Sequence, residues 1–310
     1  MSFKIISSGV FSTLQDQGRY GYNCLGITHS GAMDEYAYLW SQKLLKSYGP
    51  MLKKWIYPYE ENALEVMVGL KLEALSSMSI AITGADLGFK INNILKDIWQ
   101  THNIVVGDIL SFDKRISGQR AYLAVKGGFE SQKIYGSYTT TLKEGIGTKI
   151  ERNTTLSVKP SPTLLSTRRV QHQLIPLYPK HLTLRLFLSY QNNDFTKEEQ
   201  DKFFNTAYKI SLQSDRMGYR LKGKKINPSQ KGIISEAIAL GSVQIPKDGQ
   251  PIILLKERQT IGGYPKFGTI IPIDCFRLAQ LGVGDSVNFE AIKIEETTTL
   301  LKDFYTLFKK

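Results

Sequence analysis

The sequence predicts a mainly β protein with a few helices, and two features carry that prediction. Short apolar runs recur at Ser79-Ile-Ala-Ile-Thr83, Gly88-Phe-Lys-Ile-Asn92, Asp108-Ile-Leu-Ser-Phe112 and Arg120-Ala-Tyr-Leu-Ala-Val125, separated by Gly and Asn/Asp turns. Their spacing suits a barrel or sandwich and not alternating β-α-β units. Helical patterns, in contrast, are confined to three places. Asp34 is placed to cap a helix whose Tyr36, Trp40 and Leu44 recur at spacing four. Thr196-Lys-Glu-Glu199 is a capping-box pattern ahead of a helix to about Phe204. Asp274 is expected to cap a third helix, through Phe276, Leu278 and Leu281, stopped by Gly282.

The 310 residues, 42% of them hydrophobic, are enough to bury a core in each of two domains. A proline-bearing stretch with Pro160, Pro162, Pro176 and Pro179 reads as the linker, which sets the expected domains at 1–165 and 183–310 with 166–182 between them. A short echo joins the halves: Val106-Gly-Asp108 and Val283-Gly-Asp285 each precede a strand, which fits either a duplicated unit or shared turn chemistry. The net charge of +12 is dispersed, with Lys309 and Lys310 merely ending the chain. Dispersed basicity suits an anionic partner, and equally a compositional bias, and no nucleic-acid motif accompanies it. Cys24 and Cys275, with His29, His102, His172 and His181, fit no metal-ligand spacing and no disulfide framework. No stretch has membrane-spanning length and the N-terminus lacks an apolar signal region, so a soluble, cytoplasmic, metal-free protein is expected.

Chemistry concentrates in four stretches. In Gln259-Thr-Ile-Gly-Gly-Tyr-Pro-Lys-Phe-Gly268, a polar, glycine-hinged loop lies between two apolar runs, Gly249–Leu255 and Thr269–Ile273. Gly262 and Gly263 allow close approach by backbone or ligand, and Tyr264 before Pro265 is pushed to extended geometry. A binding loop and a plain hairpin turn both fit. Asp16 and Arg19 fall on a glycine-bounded loop and can face a ligand or pair with each other. Asp86, after Thr83-Gly84, is displayed by a turn as a candidate base, or simply holds that turn. Ser214-Asp-Arg-Met-Gly-Tyr-Arg-Leu221 carries Arg216 and Arg220, suited to capturing carboxylate, carbamate or phosphate, or to clamping a turn with Asp215. There is no triad, no dinucleotide fingerprint and no Walker-type loop.

Taken together, these stretches resemble the biotin-dependent carboxyltransferase-like family. It includes the C subunit of 5-oxoprolinase, the Kip-type partner of a kinase inhibitor, allophanate hydrolase subunit 2 and the carboxyltransferase domain of urea carboxylase. The matching residues are Leu14-Gln-Asp with Gly18-Arg19, Ser30-Gly-Ala-Met-Asp34, Ala63-Leu-Glu65, Thr83-Gly-Ala-Asp86, Ala121-Tyr-Leu-Ala-Val125 and Gly127-Gly128. They continue with Gly136-Ser137, Ser214–Leu221, Gly249-Gln-Pro251 and Arg258-Gln-Thr260 with Gly262-Gly-Tyr-Pro265. The resemblance implies two cyclophilin-like β-barrel domains. It also implies one component of an ATP-dependent 5-oxoprolinase complex opening 5-oxo-L-proline to L-glutamate, hence a hydrolase acting on a cyclic amide. The implied partners are the kinase-inhibitor-like B subunit and the lactam-utilisation-type A subunit. The ATP is expected to bind mainly on those partners.

Within that reading Asp16, Asp86 and Glu257 are the candidate acid/base or orienting carboxylates. Arg19, Arg216, Arg220 and Arg258 are the candidate anion holders, Gln244 and Gln259 the amide donors, and Gly262, Gly263 and Tyr264 the pocket-shaping loop. Two alternatives stand beside it: carboxyl transfer from carboxybiotin to urea or a similar amide, and a non-catalytic partner of the kinase-inhibitor-like protein. No biotinyl-lysine motif Met-Lys-Met is present. The sequence departs from the family pattern at Tyr138-Thr-Thr-Thr141, where Arg-Ser-Thr-Asp is usual, around Ser41-Gln42 in place of Ala-Asn, and at Lys256-Glu257, where Ala-Asp is usual.

Overall fold

The computed structural model describes residues 1–45, 61–161, 164–229 and 233–308, so Pro162 and the terminal lysines lie outside the described residues. The chain divides into two compact units, one built from 1–19 and 30–178, the other from 20–29 and 179–308. Residues 20–29 thus leave the first unit and join the second. Residues 166–178, expected in a linker, pack onto the first unit. Thr101 N donates to Arg168 O at 2.9 Å, Val170 N to Trp99 O at 2.9 Å, and the Arg168 guanidinium to Leu44 O at 3.0 Å.

In chain order the strands of the first unit are β1 (Ser2–Ser8), β2 (Ser12–Gln15), β3 (Ala63–Val66), β4 (Leu70–Ala74), β5 (Met78–Asp86) and β6 (Phe89–Ile91). They continue with β7 (Ile94–Leu95), β8 (Gln100–Ile104), β9 (Ile109–Phe112), β10 (Ser117–Val125) and β11 (Thr155–Ser157). They form a six-stranded sheet, β11-β1-β4-β9-β6-β7, and a five-stranded sheet, β2-β3-β10-β5-β8. One apolar cluster, including Phe3, Leu14, Leu72, Ile80, Phe89, Phe112 and Leu123, draws on both sheets. All four runs picked out above as strands are strands. Helix α1 (Glu35–Leu45) starts at Asp34 as expected, its Oδ1 accepting from Ala37 N at 3.1 Å. Almost every residue of α1 is buried, and Thr83 Oγ1 ties the helix to β5 through Ala37 O at 2.7 Å.

The second unit is a closed barrel. Its strands are β12 (His181–Leu188), β13 (Tyr208–Ile210), β14 (Gly218–Lys222), β15 (Glu236–Ala237), β16 (Ser242–Gln244), β17 (Ile252–Leu254), β18 (Ile261–Gly262), β19 (Lys266–Ile270) and β20 (Ser286–Ala291). Seven of them close in the order β12-β19-β16-β17-β14-β13-β20, and β15 and β18 form a separate ribbon. Helix α2 (Lys197–Phe204) begins at Thr196, whose Oγ1 accepts from Glu199 N at 3.3 Å. It delivers Phe203 to the core, stacked on Phe267 (centroids 3.9 Å apart) and Phe289 (4.4 Å).

Two helices differ from expectation. Helix α3 (Pro272–Leu278) is not capped by Asp274: Ile271 holds the cap position, Pro272 starts the helix, and Asp274 lies one turn in. The buried Asp274 carboxylate pairs with Arg185 instead, through Nε at 2.9 Å and Nη2 at 2.7 Å. Helix α4 (Ile294–Thr306) was not expected; it has no side-chain cap and carries a run of threonines, poor helix formers, at 297–299, so packing of Phe304 decides it.

The echoed turns have the same geometry in both units. Gly107 and Gly284 have φ of 88° and 85°. Asp108 Oδ2 accepts from Val105 N at 2.8 Å, and Asp285 Oδ2 from Gly282 N at 2.8 Å. Each Gly–Asp pair also brackets one residue of a neighbouring strand, Ala74 in one case and Ile210 in the other. Shared turn chemistry is therefore present in full, down to the strand clamp.

Candidate functional site

In the first unit, Asp16 is a hub of fixed hydrogen bonds. Its Oδ1 accepts from Ser137 Oγ (2.6 Å), Thr139 Oγ1 (2.7 Å) and Gly18 N (2.8 Å), and its Oδ2 from Tyr138 N (2.7 Å). Arg19, 1% exposed, donates to Thr141 Oγ1 at 2.8 Å and to Thr139 O. Asp16 and Arg19 therefore meet on the Tyr138–Thr141 segment, where the family pattern carries its own Arg and Asp. Gly31 makes this packing possible: its φ is 99°, and a Cβ would lie 2.8 Å from the Gln17 carbonyl oxygen. Asp86 holds its own turn, Oδ1 accepting from Gly88 N at 2.9 Å. A buried network lies beside α1, built on residues of the matching stretches to which no site role was given. Glu65, fully buried, accepts from Tyr122 OH (2.7 Å) and Met33 N (2.9 Å), with Arg120 Nε at 3.5 Å. Burial, and then the charge of Glu65, push the Tyr122 phenol well up.

In the second unit, the loop after β17 is not a hairpin turn, because β16 lies between β17 and β19. Its first part runs back along residues 216–217, with Leu255 N donating to Met217 O and Glu257 N to Arg216 O, both at 2.9 Å. This brings Arg216 and Glu257 into a buried ion pair, Nε to Oε1 at 2.5 Å. Asp215 holds the preceding turn, accepting from Met217 N at 2.8 Å. Arg220 is exposed on β14 and does not join Arg216. Arg258 turns inward and donates from Nε to Ile238 O at 3.0 Å and from Nη1 to Leu255 O at 3.2 Å. Burial lowers its pKa, with Cys275 and Tyr20 the groups that favour its charge.

Gln244, 1% exposed on β16, and Gln259 converge on Gly262. A Cβ there would lie 3.1 Å from Gln244 Nε2, 3.3 Å from Gln259 Nε2 and 2.6 Å from Ile238 Cδ1. Gln244 Nε2 has no hydrogen-bond partner among the described residues. A buried amide donor left unmade costs about 1–3 kcal/mol, so the arrangement favours a ligand oxygen that accepts from it. Gly263 is equally hemmed in, its Cβ position 3.0 Å from Ile233 O, and Tyr264 is 39% exposed at the rim.

Four residues of this region are not singled out by the sequence pattern: Tyr190, Gln191, Glu236 and Lys266. Strand pairing gathers them, since Glu236 is the register partner of Gly262 and Lys266 that of Gln244. Glu236 Oε1 accepts from Gln191 Nε2 (2.5 Å) and Lys266 Nζ (2.6 Å), and its Oε2 from Tyr190 OH (2.5 Å). Lys266 first, then Tyr190, hold the Glu236 carboxyl below its ordinary range. Of the four, only Lys266 had a signal in the sequence, its place beside Tyr264-Pro265.

The mainly β fold with its closed barrel agrees with what comparison with known proteins finds. Residues 25–291 match the family described as "Carboxyltransferase domain, subdomain A and B", and the chain belongs to it. It is 30% identical to the C subunit of 5-oxoprolinase from Escherichia coli over 99% of this chain and 96% of that one. It is 31% identical to the Haemophilus influenzae protein of the same name over 93% and 91%. Among solved structures, the K. lactis urea amidolyase superposes with a TM-score of 0.90 at 22% identity, covering 99% of this chain, which spans only 20% of that protein.

Proposed function

We infer that the chain is the C subunit of an ATP-dependent 5-oxoprolinase complex, working with a kinase-inhibitor-like B subunit and a lactam-utilisation-type A subunit to open 5-oxo-L-proline to L-glutamate. The observation that supports this reading best is the end-to-end correspondence with the two bacterial proteins named as 5-oxoprolinase C subunits, in contrast to the one-fifth share of the urea amidolyase. The geometry fits a lactam. Gln244 Nε2 and Gln259 Nε2 both lie against Gly262, and a lactam carbonyl oxygen brought to this loop would find the unpartnered Gln244 amide as a donor. Opening the ring places negative charge on that oxygen, which fixed donors stabilise more strongly than the neutral carbonyl. The buried Arg216–Glu257 pair holds the start of the loop in register, so its role is positioning. ATP acts in the assembly and is assigned to the partner proteins.

Coexpression with the A and B subunits should give glutamate from 5-oxoproline only when ATP is present, and a partnered complex that releases none refutes the reading. A second reading, transfer of a carboxyl group from carboxybiotin to urea or a similar amide, is supported by the family's name. It requires a biotinylated carrier and a biotin carboxylase to copurify with the chain.

A further inference from the structure

The Glu236 cluster differs from the exposed ion pairs of the second unit. Lys197–Asp201, for comparison, has side chains 81% and 56% exposed, whereas Lys266 is 14% and Glu236 29% exposed, and Gln191 is 5% exposed. Three donors of different kinds, an ammonium, a carboxamide and a phenol, converge on one carboxylate at 2.5–2.6 Å. The Gln191 carboxamide is itself fixed, its Oε1 accepting from Lys266 N at 2.7 Å. The donors are therefore held by the rims of the barrel. The carboxylate they hold, in contrast, rides on β15, two residues long and joined to β18 by two register pairs, Glu236↔Gly262 and Ala237↔Ile261. Its position beside Gly262 places it next to the point where Gln244 and Gln259 converge.

We propose that Tyr190, Gln191 and Lys266 form a carboxylate-recognition site for a small anionic ligand, and that Glu236 occupies it in cis when the ligand is absent. Lys266 and Gln191 are fixed and largely removed from solvent, so they favour an anion, Tyr190 adds its hydroxyl from the exposed side, and the ribbon carrying Glu236 is the part that can give way. An incoming carboxylate accepts from Lys266 Nζ, Gln191 Nε2 and Tyr190 OH in place of Glu236, which swings to solvent. Together with the neighbouring amide donors, the site then selects a small molecule that carries both a carboxylate and an amide carbonyl. That pairing rests on the function inferred above; the carboxylate site itself does not.

A tethered competitor that fills its site for 90–99% of the time weakens the apparent affinity of an external ligand about 10- to 100-fold. Titration of the isolated full-length chain with acetate, with 5-oxoproline and with neutral urea, followed by calorimetry, tests this without partners or ATP. E236A should bind acetate and 5-oxoproline about 10- to 100-fold more tightly than the native chain, with urea unchanged. E236Q, which keeps the ribbon's shape but loses the charge, should gain in the same direction and carries the test should E236A not fold. Adding K266M to either variant should erase the gain. Carboxylate affinity that stays at the native value in E236Q, a gain that survives K266M, or an equal gain for urea would overturn the proposal. Failure of the complex to release glutamate would overturn the inferred reaction and leave these binding results standing.

Discussion

Replacing Arg216 by methionine should destabilise the second unit by about 3–5 kcal/mol, because it removes the cation that faces a buried carboxylate. The magnitude follows from the geometry. Arg216 and Glu257 are 5% and 6% exposed and touch at 2.5 Å. Charge centres about 4 Å apart attract by about 4 kcal/mol at an effective dielectric of about 20. Much of that attraction offsets the desolvation of both groups, so the pair as a whole adds little net stability. E257Q should accordingly cost a similar amount, and the double variant R216M/E257L less than either single change. Thermal unfolding followed by circular dichroism reads this directly: a fall of about 10 °C for each single variant, at about 3 °C per kcal/mol, and partial recovery in the double variant. Single variants that unfold within about 2 °C of the native chain would refute the claim that the pair is desolvated, and with it the positioning role given to it.

The remaining predictions concern other parts of the chain. D16N should cost about 2–3 kcal/mol in chemical denaturation, since the new amide NH2 faces a donor wherever it is placed among the four that surround Asp16. Gly31→Ala should cost at least about 2 kcal/mol, because φ of 99° and a contact of 2.8 Å with the Gln17 backbone penalise any Cβ there. Burial pushes the Cys275 thiol up to about 12, so its reactive thiolate is negligible at pH 8. The folded chain should therefore titrate with one equivalent of a thiol reagent, at the exposed Cys24, and with two once denatured. Q244M, which removes the unpartnered donor, should leave stability within about 1 kcal/mol of native while lowering turnover of the assembled complex at least about tenfold.

Much of the fold was legible because strands and caps are written locally. Asp34 and Thr196 cap the helices they were expected to cap, and the short apolar runs at 79–83 and 120–125 mark strands that pair with each other. Asp274 failed as a cap because Arg185, 89 positions away, claims its carboxylate, and Pro272 had already set the helix start. The candidate site was legible only in part. Gln244, Arg258, Gln259 and Gly262 were named from motif and chemistry, and the barrel brings them together. Arg220 lies four residues from Arg216, yet it takes the exposed face of β14. Asp16 reads as a displayed carboxylate, but the Ser137–Thr139 hydroxyls and amide that enclose it come from more than 120 positions along the chain. Glu236 and Lys266 had no spacing that could join them; only the register of two short strand pairs does so.

The most direct test of the account is an omission experiment on the assembled complex. Glutamate release from 5-oxoproline and ATP is followed with the two partner proteins by themselves, and again after adding this chain as native protein or as Q244M. ATP-dependent release should require the native chain and be strongly reduced with Q244M. Full release from the two partners without this chain, or an unchanged rate with Q244M, would contradict the account.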